Sequence, residues 1–177
     1  LELAEAKIAA INLHTNLDVC PGGVNDVLAE TLGLTDVSVL NPVGTDAQGR
    51  PYGLIRTGMV REQRLAEFAA FVKSALSCPG LRFADAGKPV RRVAVGGGSC
   101  GGAIDDVLAA GCDTLVTADL KYNHFEEAKY RGLNLIDAGH FETENPVCAV
   151  LERVVREALP ELTVLRAKAH KDETQFL

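Results

Sequence analysis

The sequence predicts an α/β fold with mixed sheets and βαβ units. Short apolar runs typical of strands alternate with amphipathic stretches typical of helices along the second half of the 177-residue chain. Glycine and proline separate most of these segments. A hydrophobic content of 47% is sufficient for one sizeable core. Regular alternation implies a sheet with substantial parallel pairing, whose functional loops gather beyond the carboxyl ends of the strands.

The first elements lead to a histidine. Leu1–Lys7 is rich in Ala, Glu and Leu and predicts a helix. The apolar run Ile8–Leu13 predicts a buried strand that delivers His14 at its carboxyl end. Pro and Gly at positions 21–23 break the chain, and apolar residues then recur at helical spacing over Val24–Leu32.

The middle of the chain predicts an edge hairpin and a helix. Val37–Leu40 and Tyr52–Thr57 are short β-prone pieces among prolines and glycines, which favours a hairpin-like excursion. Apolar residues at helical spacing predict a helix over Glu62–Leu76.

The second half gives the regular alternation. The predicted strands are Val90–Val95, Thr114–Thr117, Leu133–Asp137 and Leu162–Leu165. The predicted helices are Ala103–Ala110, Glu126–Arg131 and Pro146–Leu159.

Composition narrows the class of function. The net charge of −6 and pI near 5.2 argue against a nucleic-acid partner, because that affinity rests on Lys and Arg neutralising phosphates. We expect a cytoplasmic protein with no membrane partner, since no apolar run approaches the roughly 20 residues of a membrane span and no secretory leader opens the chain. The five cysteines form no C-x-x-C pair, so reduced thiols are expected.

Two segments share the pattern His-x-x-x-carboxylate at predicted strand ends. The first is His14 with Asp18, and the second is His140 with Glu144. In the second, either Thr143 or Asn145 is the expected helix cap, and both alternatives let the pair converge. The carboxyl ends of parallel strands share one rim, so the four side chains could fill one structural metal site. Two bridging carboxylates could also support two ions about 3.5–4 Å apart.

A glycine-rich turn offers a competing interpretation. Residues 96–101 satisfy G-x-G-x-x-G between a predicted strand and a helix, and Asp119 falls near the position of a ribose-binding acid. This context is that of dinucleotide binding, yet too few strands remain for the full double unit. We therefore expect Gly97, Gly98 and Ser99 to form a phosphate-facing or metal-facing loop.

Lys121 and His124 follow the strand Thr114–Thr117 in a polar loop. Polar groups at this sheet edge would face the same cleft. We therefore take Lys121 and His124 as candidate catalytic residues that contact a substrate anion.

Taken in order, five segments resemble the NIF-three-like dinuclear metal-centre family, whose members are often named GTP cyclohydrolase 1 type 2 homologs. The segments are His14-Thr-Asn-Leu-Asp18, Gly22-Gly-Val-Asn-Asp26, the Gly-Gly-Gly-Ser turn, Thr117-Ala-Asp-Leu-Lys-Tyr122 and Ala138-Gly-His-Phe-Glu-Thr-Glu144.

The resemblance implies one NIF-three-like α/β unit over residues 1–177, without a long linker. Residues 1–57 would be the remainder of a first lobe and residues 58–177 a second lobe. The matching side chains would bind two divalent ions (Zn, Mn, Fe or Ni), and the subunits would form a hexameric ring. The metal ligands would be His14, Asp18, His140 and Glu144.

Two departures from the family pattern stand out. The family has upstream adjacent histidines, and this chain begins after that point, so we expect an N-terminally truncated fold. The family commonly has a histidine directly after the tyrosine matching Tyr122, whereas Asn123 stands there and the histidine is displaced to His124.

These observations lead to three hypotheses about function. The first is a metal-dependent hydrolase that opens the purine ring of a nucleotide such as GTP. The second is a non-catalytic metal-binding assembly or regulatory protein. The third is a dinucleotide-binding oxidoreductase.

Overall fold

A six-stranded mixed sheet forms the centre of the computed structural model, which describes residues 1–177. The strand order is β1-β4-β6-β7-β8-β5, and a separate two-stranded hairpin is formed by β2 and β3. The three strands β6, β7 and β8 are parallel, and every other pairing is antiparallel. The strands are β1 (Thr35–Leu40), β2 (Gly44–Thr45), β3 (Pro51–Tyr52), β4 (Ile55–Gln63), β5 (Arg82–Ala84), β6 (Val90–Val95), β7 (Thr114–Thr117) and β8 (Asn134–Asp137).

Eight α-helices and one 3₁₀ turn at Gly101–Ala103 connect and cover these strands. None of the helices is long and apolar enough to cross a membrane. The helices are α1 (Glu2–Glu5), α2 (Thr15–Val19), α3 (Val24–Thr31), α4 (Leu65–Ala75), α5 (Ile104–Ala109), α6 (Tyr122–Tyr130), α7 (His140–Glu144) and α8 (Val147–Ala158).

The sheet separates two hydrophobic clusters, because successive side chains of a strand point to opposite faces. On β6, Val93 and Val95 belong to the cluster that contains Phe68 of α4. Ala94, between them, belongs to the cluster that contains Val107 of α5. Helices therefore cover both faces of the parallel strands, as the predicted βαβ units require.

The structure confirms the mixed α/β fold and most of the predicted elements. The strands at 90–95 and 114–117 have the predicted bounds. The strand after them begins at Asn134, one residue later than predicted. Helix α4 begins at Leu65 because Glu62 and Gln63, which were predicted to be helical, belong to β4 and Arg64 caps the helix. Strand β4 also spans residues 57 and 58, so both predicted lobes contribute to the same sheet.

Two predicted strands are wrong, and two short strands, β2 and β5, were not predicted. Ile8–Leu13 and Leu162–Leu165 lie in neither sheet, and Ile11 and Leu165 are largely exposed. An apolar run becomes a strand only where a neighbouring strand supplies hydrogen-bond partners, and neither run has one. The missed strand β5 (Arg82–Ala84) is short and carries no period-two pattern, and its pairing with β8 defines it.

Parallel pairing brings three loops to one edge of the sheet. The glycine turn follows β6, the loop with Asp119 follows β7, and the loop that leads to His140 follows β8. This edge contains half of the predicted site, and the loop and helix α2 that precede α3 provide the other half.

Candidate metal centre

The four predicted ligands line one cleft of about 550 Å³. His14 is the residue that precedes α2, and Asp18 lies one turn later on that helix. His140 and Glu144 occupy the first and last positions of α7. The topology therefore brings both His-x-x-x-carboxylate segments to the same cavity.

His140 and Glu144 form a contact across one helical turn. The His140 Nε2 atom lies 2.9 Å from the Glu144 Oε1 atom. The sequence predicted Thr143 or Asn145 as the cap of the following helix, but the residue before α8 is Pro146. The ligand pair lies instead on α7, which begins directly after Gly139, whose φ of +88° is readily adopted only by glycine. Both expected caps were therefore wrong, and the convergence they were meant to allow is produced by a helix that contains both ligands.

His14 and Asp18 approach the cleft less tightly. His14 is exposed, and its Nδ1 atom lies 3.0 Å from the Thr15 hydroxyl. Burial raises the pKa of the Asp18 carboxyl, while the nearby His14 and His140 oppose that shift. Asp18 is thus close enough to both imidazoles to interact with their charges.

The charges of the second pair are coupled as well. Burial raises the pKa of the Glu144 carboxyl, His140 opposes the shift, and the negative charge of Asp18 adds to it. Burial alone would lower the pKa of His140, but the hydrogen bond that its ring donates to Asp119 and the negative charge of Glu144 outweigh burial and raise the pKa. The Asp18 and Glu144 carboxylates are partly buried and repel one another, and a cation between them would stabilise their charged forms.

The donor set fits a borderline divalent ion, although the ligands are not yet assembled. Two imidazoles and two carboxylates suit zinc, manganese, iron or nickel. No three His, Cys, Asp or Glu side chains of the chain lie close enough together to form a ready metal cluster. Among the four predicted ligands only His140 and Glu144 form an ion pair. An ion shared by all four side chains would require Asp18 and His14 to approach that pair.

Asp119 is a functional candidate whose role the sequence did not reveal. Its Oδ2 atom lies 2.7 Å from the Nδ1 atom of His140, on the other ring nitrogen from the one that faces Glu144. The sequence suggested Asp119 as a ribose-binding acid, but its carboxylate is bound to His140. The sequence feature that could have identified Asp119 as a site residue is its position directly after a parallel strand.

The glycine turn supports the ligand pair. The amide of Gly97 donates to the Asn25 side-chain oxygen at 2.6 Å, and the amide of Gly98 donates to the Thr143 hydroxyl at 3.0 Å. Two of the amides that would cradle a phosphate are therefore already used, and Ser99 is exposed beside them. The Asp119 carboxylate contacts His140 as well. The amides of Gly97 and Gly98 and this carboxylate, which a dinucleotide would need, are therefore all engaged within the protein.

Two buried polar side chains hold α2 in place, and neither was singled out from the sequence. Asn25 joins the Asp18 carbonyl oxygen, at 3.0 Å, to the amide of Gly97. Arg56 of β4 pairs with Asp26 and donates to the carbonyl oxygens at the end of α2, at 3.4 Å each. Buried polar groups must be paired, so these contacts fix the backbone near Asp18.

The predicted catalytic residues do not line the cleft. Lys121 is exposed at the start of α6, and His124 accepts a hydrogen bond from the Lys121 amide through Nδ1 at 3.2 Å. This contact belongs to a capping box at the start of α6. Their catalytic role stays a prediction.

The remaining cleft wall is mostly apolar. Leu17, Val24, Val147 and Leu151 line it, together with a part of the C-terminal segment. In that segment the ring of His170 lies 5.1 Å from the ring of Phe141. The cleft is lined by no lysine or arginine.

Comparison with known sequences supports the resemblance seen in the segments. A curated relative from Nostoc sp., named GTP cyclohydrolase 1 type 2 homolog, is 39% identical over 154 residues, which is 85% of this chain and 57% of the relative. A relative of the same name from Streptomyces coelicolor is 39% identical over 82% of this chain and 53% of its own length. The chain thus spans a little more than half the length of these relatives.

Comparison with solved structures gives the same result. The crystal structure of a hypothetical protein from Staphylococcus aureus has a TM-score of 0.88 and 27% identity, covering 99% of this chain and 71% of that protein. The sequence model of the Duf34/NIF3 family (NGG1p interacting factor 3) matches residues 1–173. The fold, the order of the site segments and these matches agree: the chain belongs to the Duf34/NIF3 family.

Proposed function

We propose that the chain supplies ligands to a two-ion site of a metal-dependent hydrolase. The observation that carries the proposal is that both His-x-x-x-carboxylate pairs line one cleft, in which His140 and Glu144 already lie 2.9 Å apart. The residues that would bind the ions are His14, Asp18, His140 and Glu144.

Bound divalent ions would supply Lewis acidity, which polarises a substrate oxygen and lowers the pKa of water. The chain's own residues have three further tasks. Asp18 and Glu144, whose pKa values burial raises, offer carboxylates that are poorly compensated until positive charge arrives. Asp119 contacts the ring nitrogen of His140 that faces away from Glu144. The apolar wall that includes Leu151 limits access of water from one side.

A nucleotide is the substrate class suggested by the relatives' names. If GTP is the substrate, water adds to the imidazole carbon of the purine, one carbon–nitrogen bond breaks and a formamide remains. A cleft of about 550 Å³ lies within the size range of small-molecule sites. Two divalent ions carry a charge of about +4 and the Asp18 and Glu144 carboxylates balance about 2 of it, so a positive charge of about +2 would face a triphosphate.

The test is an assay of the purified chain with GTP and either manganese or zinc. We expect GTP loss together with a product heavier by one water, followed by chromatography and mass spectrometry. His140→Ala, checked for an unchanged circular dichroism spectrum, should lose this activity. GTP loss equal in both proteins would remove the cyclohydrolase proposal.

One observation favours a second candidate, a metal-binding protein without turnover. The cleft contains no lysine or arginine, and the two residues predicted to contact a substrate anion, Lys121 and His124, lie outside it. This candidate predicts stoichiometric metal, measured by elemental analysis, and no hydrolysis across a panel of nucleotides and phosphoesters. Hydrolysis that depends on His140 would contradict it.

A further inference from the structure

The imidazole of His140 lies between two carboxylates and between two cavities. Its Nε2 atom faces Glu144 in the large cleft, and its Nδ1 atom faces Asp119 at 2.7 Å. Asp119 lines a second cavity of about 280 Å³ to which Glu144 does not contribute. Because the two ring nitrogens point in different directions, one ion cannot be bound by His140 together with both carboxylates.

The backbone of Asp119 is held in an uncommon conformation. Its φ is +53°, in the left-handed region that non-glycine residues adopt only where the surroundings fix it. The neighbouring amides supply that restraint. Ala118 donates to the Gly98 carbonyl at 2.8 Å, and Leu120 donates to the Asp137 carboxylate at 3.1 Å.

Asp137 joins the Asp119 loop to the His140 loop. This buried carboxylate also accepts the amide of Gly139, the residue before His140, at 3.3 Å. A single side chain at the end of β8 thus restrains the residue after Asp119 and the residue before His140. The Asp137 carboxylate therefore holds the loops that carry Asp119 and His140 in fixed positions relative to each other.

We propose that Asp119 is the positioning residue of His140. By accepting the Nδ1–H proton, its carboxylate leaves the Nε2 lone pair free for an ion on the Glu144 side of the ring. A carboxylate behind a histidine ligand fixes the ring's tautomer and orientation and raises its basicity. This inference rests on the proposed metal site.

The test compares three variants of the whole chain in zinc affinity, measured by competition with a chromophoric chelator. Asp119→Gly removes the acceptor and keeps the left-handed backbone relaxed; we expect about a 10- to 100-fold loss of affinity. Asp119→Asn keeps an oxygen acceptor and should stay within a few-fold of wild type. The matched control is Asp36→Gly, which removes an exposed aspartate of similar φ (+52°) on the edge strand β1 and should leave affinity unchanged.

A second measurement separates positioning from a merely structural effect. In ¹⁵N NMR spectra of the metal-free chain, the neutral His140 ring should carry its proton on Nδ1 in wild type and on Nε2 in Asp119→Gly. The inference is overturned if the ring tautomer is the same in both proteins. It is also overturned if Asp119→Gly binds zinc as tightly as wild type, or if Asp119→Asn loses as much affinity as Asp119→Gly.

The two proposals fail in different ways. A wild-type chain that binds no zinc contradicts the metal site, and the tautomer in the metal-free chain then still decides the role of Asp119. A wild-type chain that binds zinc, with an Asp119→Gly variant that binds it equally well, contradicts the positioning role alone.

Discussion

Gly98 shows how closely the backbone approaches the proposed ligands. A Cβ atom added to it would lie 2.5 Å from the Glu144 Oε1 atom and 3.0 Å from the His140 Nε2 atom, and its φ is +64°. Both the conformation and the space at this position therefore favour glycine. The sequence left open whether this glycine belongs to a phosphate-facing or a metal-facing loop, because sequence spacing does not show which side chain faces the turn.

Gly98→Ala should weaken zinc binding and lower stability. The added methyl group would displace Glu144 from His140, and the left-handed backbone would cost a further ~1 kcal/mol. The matched control is Gly33→Ala, at φ +68° with nothing within 4 Å of the added Cβ. Chelator competition should show weaker binding for Gly98→Ala only, whereas urea unfolding should show a loss for both. Equal zinc affinity in the two variants would contradict the steric argument.

The cysteines should react in an order set by burial. Burial raises the pKa of the Cys78 and Cys100 thiols to about 11, so only ~0.1% of either is thiolate at pH 8. Cys148 is only half-buried. We expect iodoacetamide at pH 8 to label Cys148 well before Cys78 and Cys100, as peptide mass spectrometry would show.

The pH dependence of that labelling follows from the sign of the shift. A raised thiol pKa means that reactivity appears only as the pH rises toward about 11, provided the fold persists. Urea should remove the protection and make labelling of Cys78 and Cys100 rapid at pH 8. Labelling of Cys78 at the rate of Cys148 in the native protein would show that its burial is transient.

At the scale of elements, the buried strands and helices could be predicted from the sequence, whereas apolar runs without a partner strand were wrongly predicted as strands. The strands at 90–95 and 114–117 have the predicted bounds because their parallel pairing buries Val93–Val95 and Thr114–Thr117 at the centre of the sheet. Ile8–Leu13 is also mostly apolar, but it has no partner strand. Helix α7 was not predicted because the residue that precedes it is Gly139. A glycine before a helix is a weaker sequence signal than a residue with a hydroxyl or carboxyl side chain.

Helix α4 offers a direct test of the core. Phe68 is fully buried in the cluster that covers one face of the sheet, while Phe71 on the same helix is 43% exposed. Phe68→Ala should lower the free energy of unfolding by about 3–5 kcal/mol, because it removes buried apolar surface and leaves a cavity. Phe71→Ala should cost much less. Urea denaturation of the two variants measures the difference, and equal losses would contradict the assigned packing.

At the scale of the whole molecule, the sequence predicted the class of fold and the candidate ligands, but not the supporting residues. His14, Asp18, His140 and Glu144 could be chosen because their side chains are metal-ligand types at equal spacing. Asn25 and Arg56 could not, because a polar residue buried by distant segments looks like a surface residue in sequence. The contact of Asn25 with Gly97 joins residues 72 positions apart, and that of Arg56 with Val19 joins residues 37 positions apart.

Metal removal should lower the stability of the whole chain. A ligand that binds only the folded state adds about 2.7 kcal/mol when its concentration is 100 times its Kd. We therefore expect zinc to raise the melting temperature and EDTA to reverse the increase. His140→Ala, which removes one proposed ligand, should show a much smaller shift. A zinc-induced increase of equal size in His140→Ala would place the ion elsewhere.

His14 differs from the other proposed ligands because it follows residues 8–13, which form no helix or strand. This segment has no regular structure, its side chains are exposed, and Ile11 and Leu13 line the cleft beside His14. An ion bound by His14 would therefore have to restrict a loosely held stretch of chain, at a cost of roughly 1–2 kcal/mol in conformational entropy per ordered residue. Metal binding and ordering of residues 8–13 would therefore be coupled. Because this ordering costs entropy, the affinity of the chain for the ion would fall as the temperature rises.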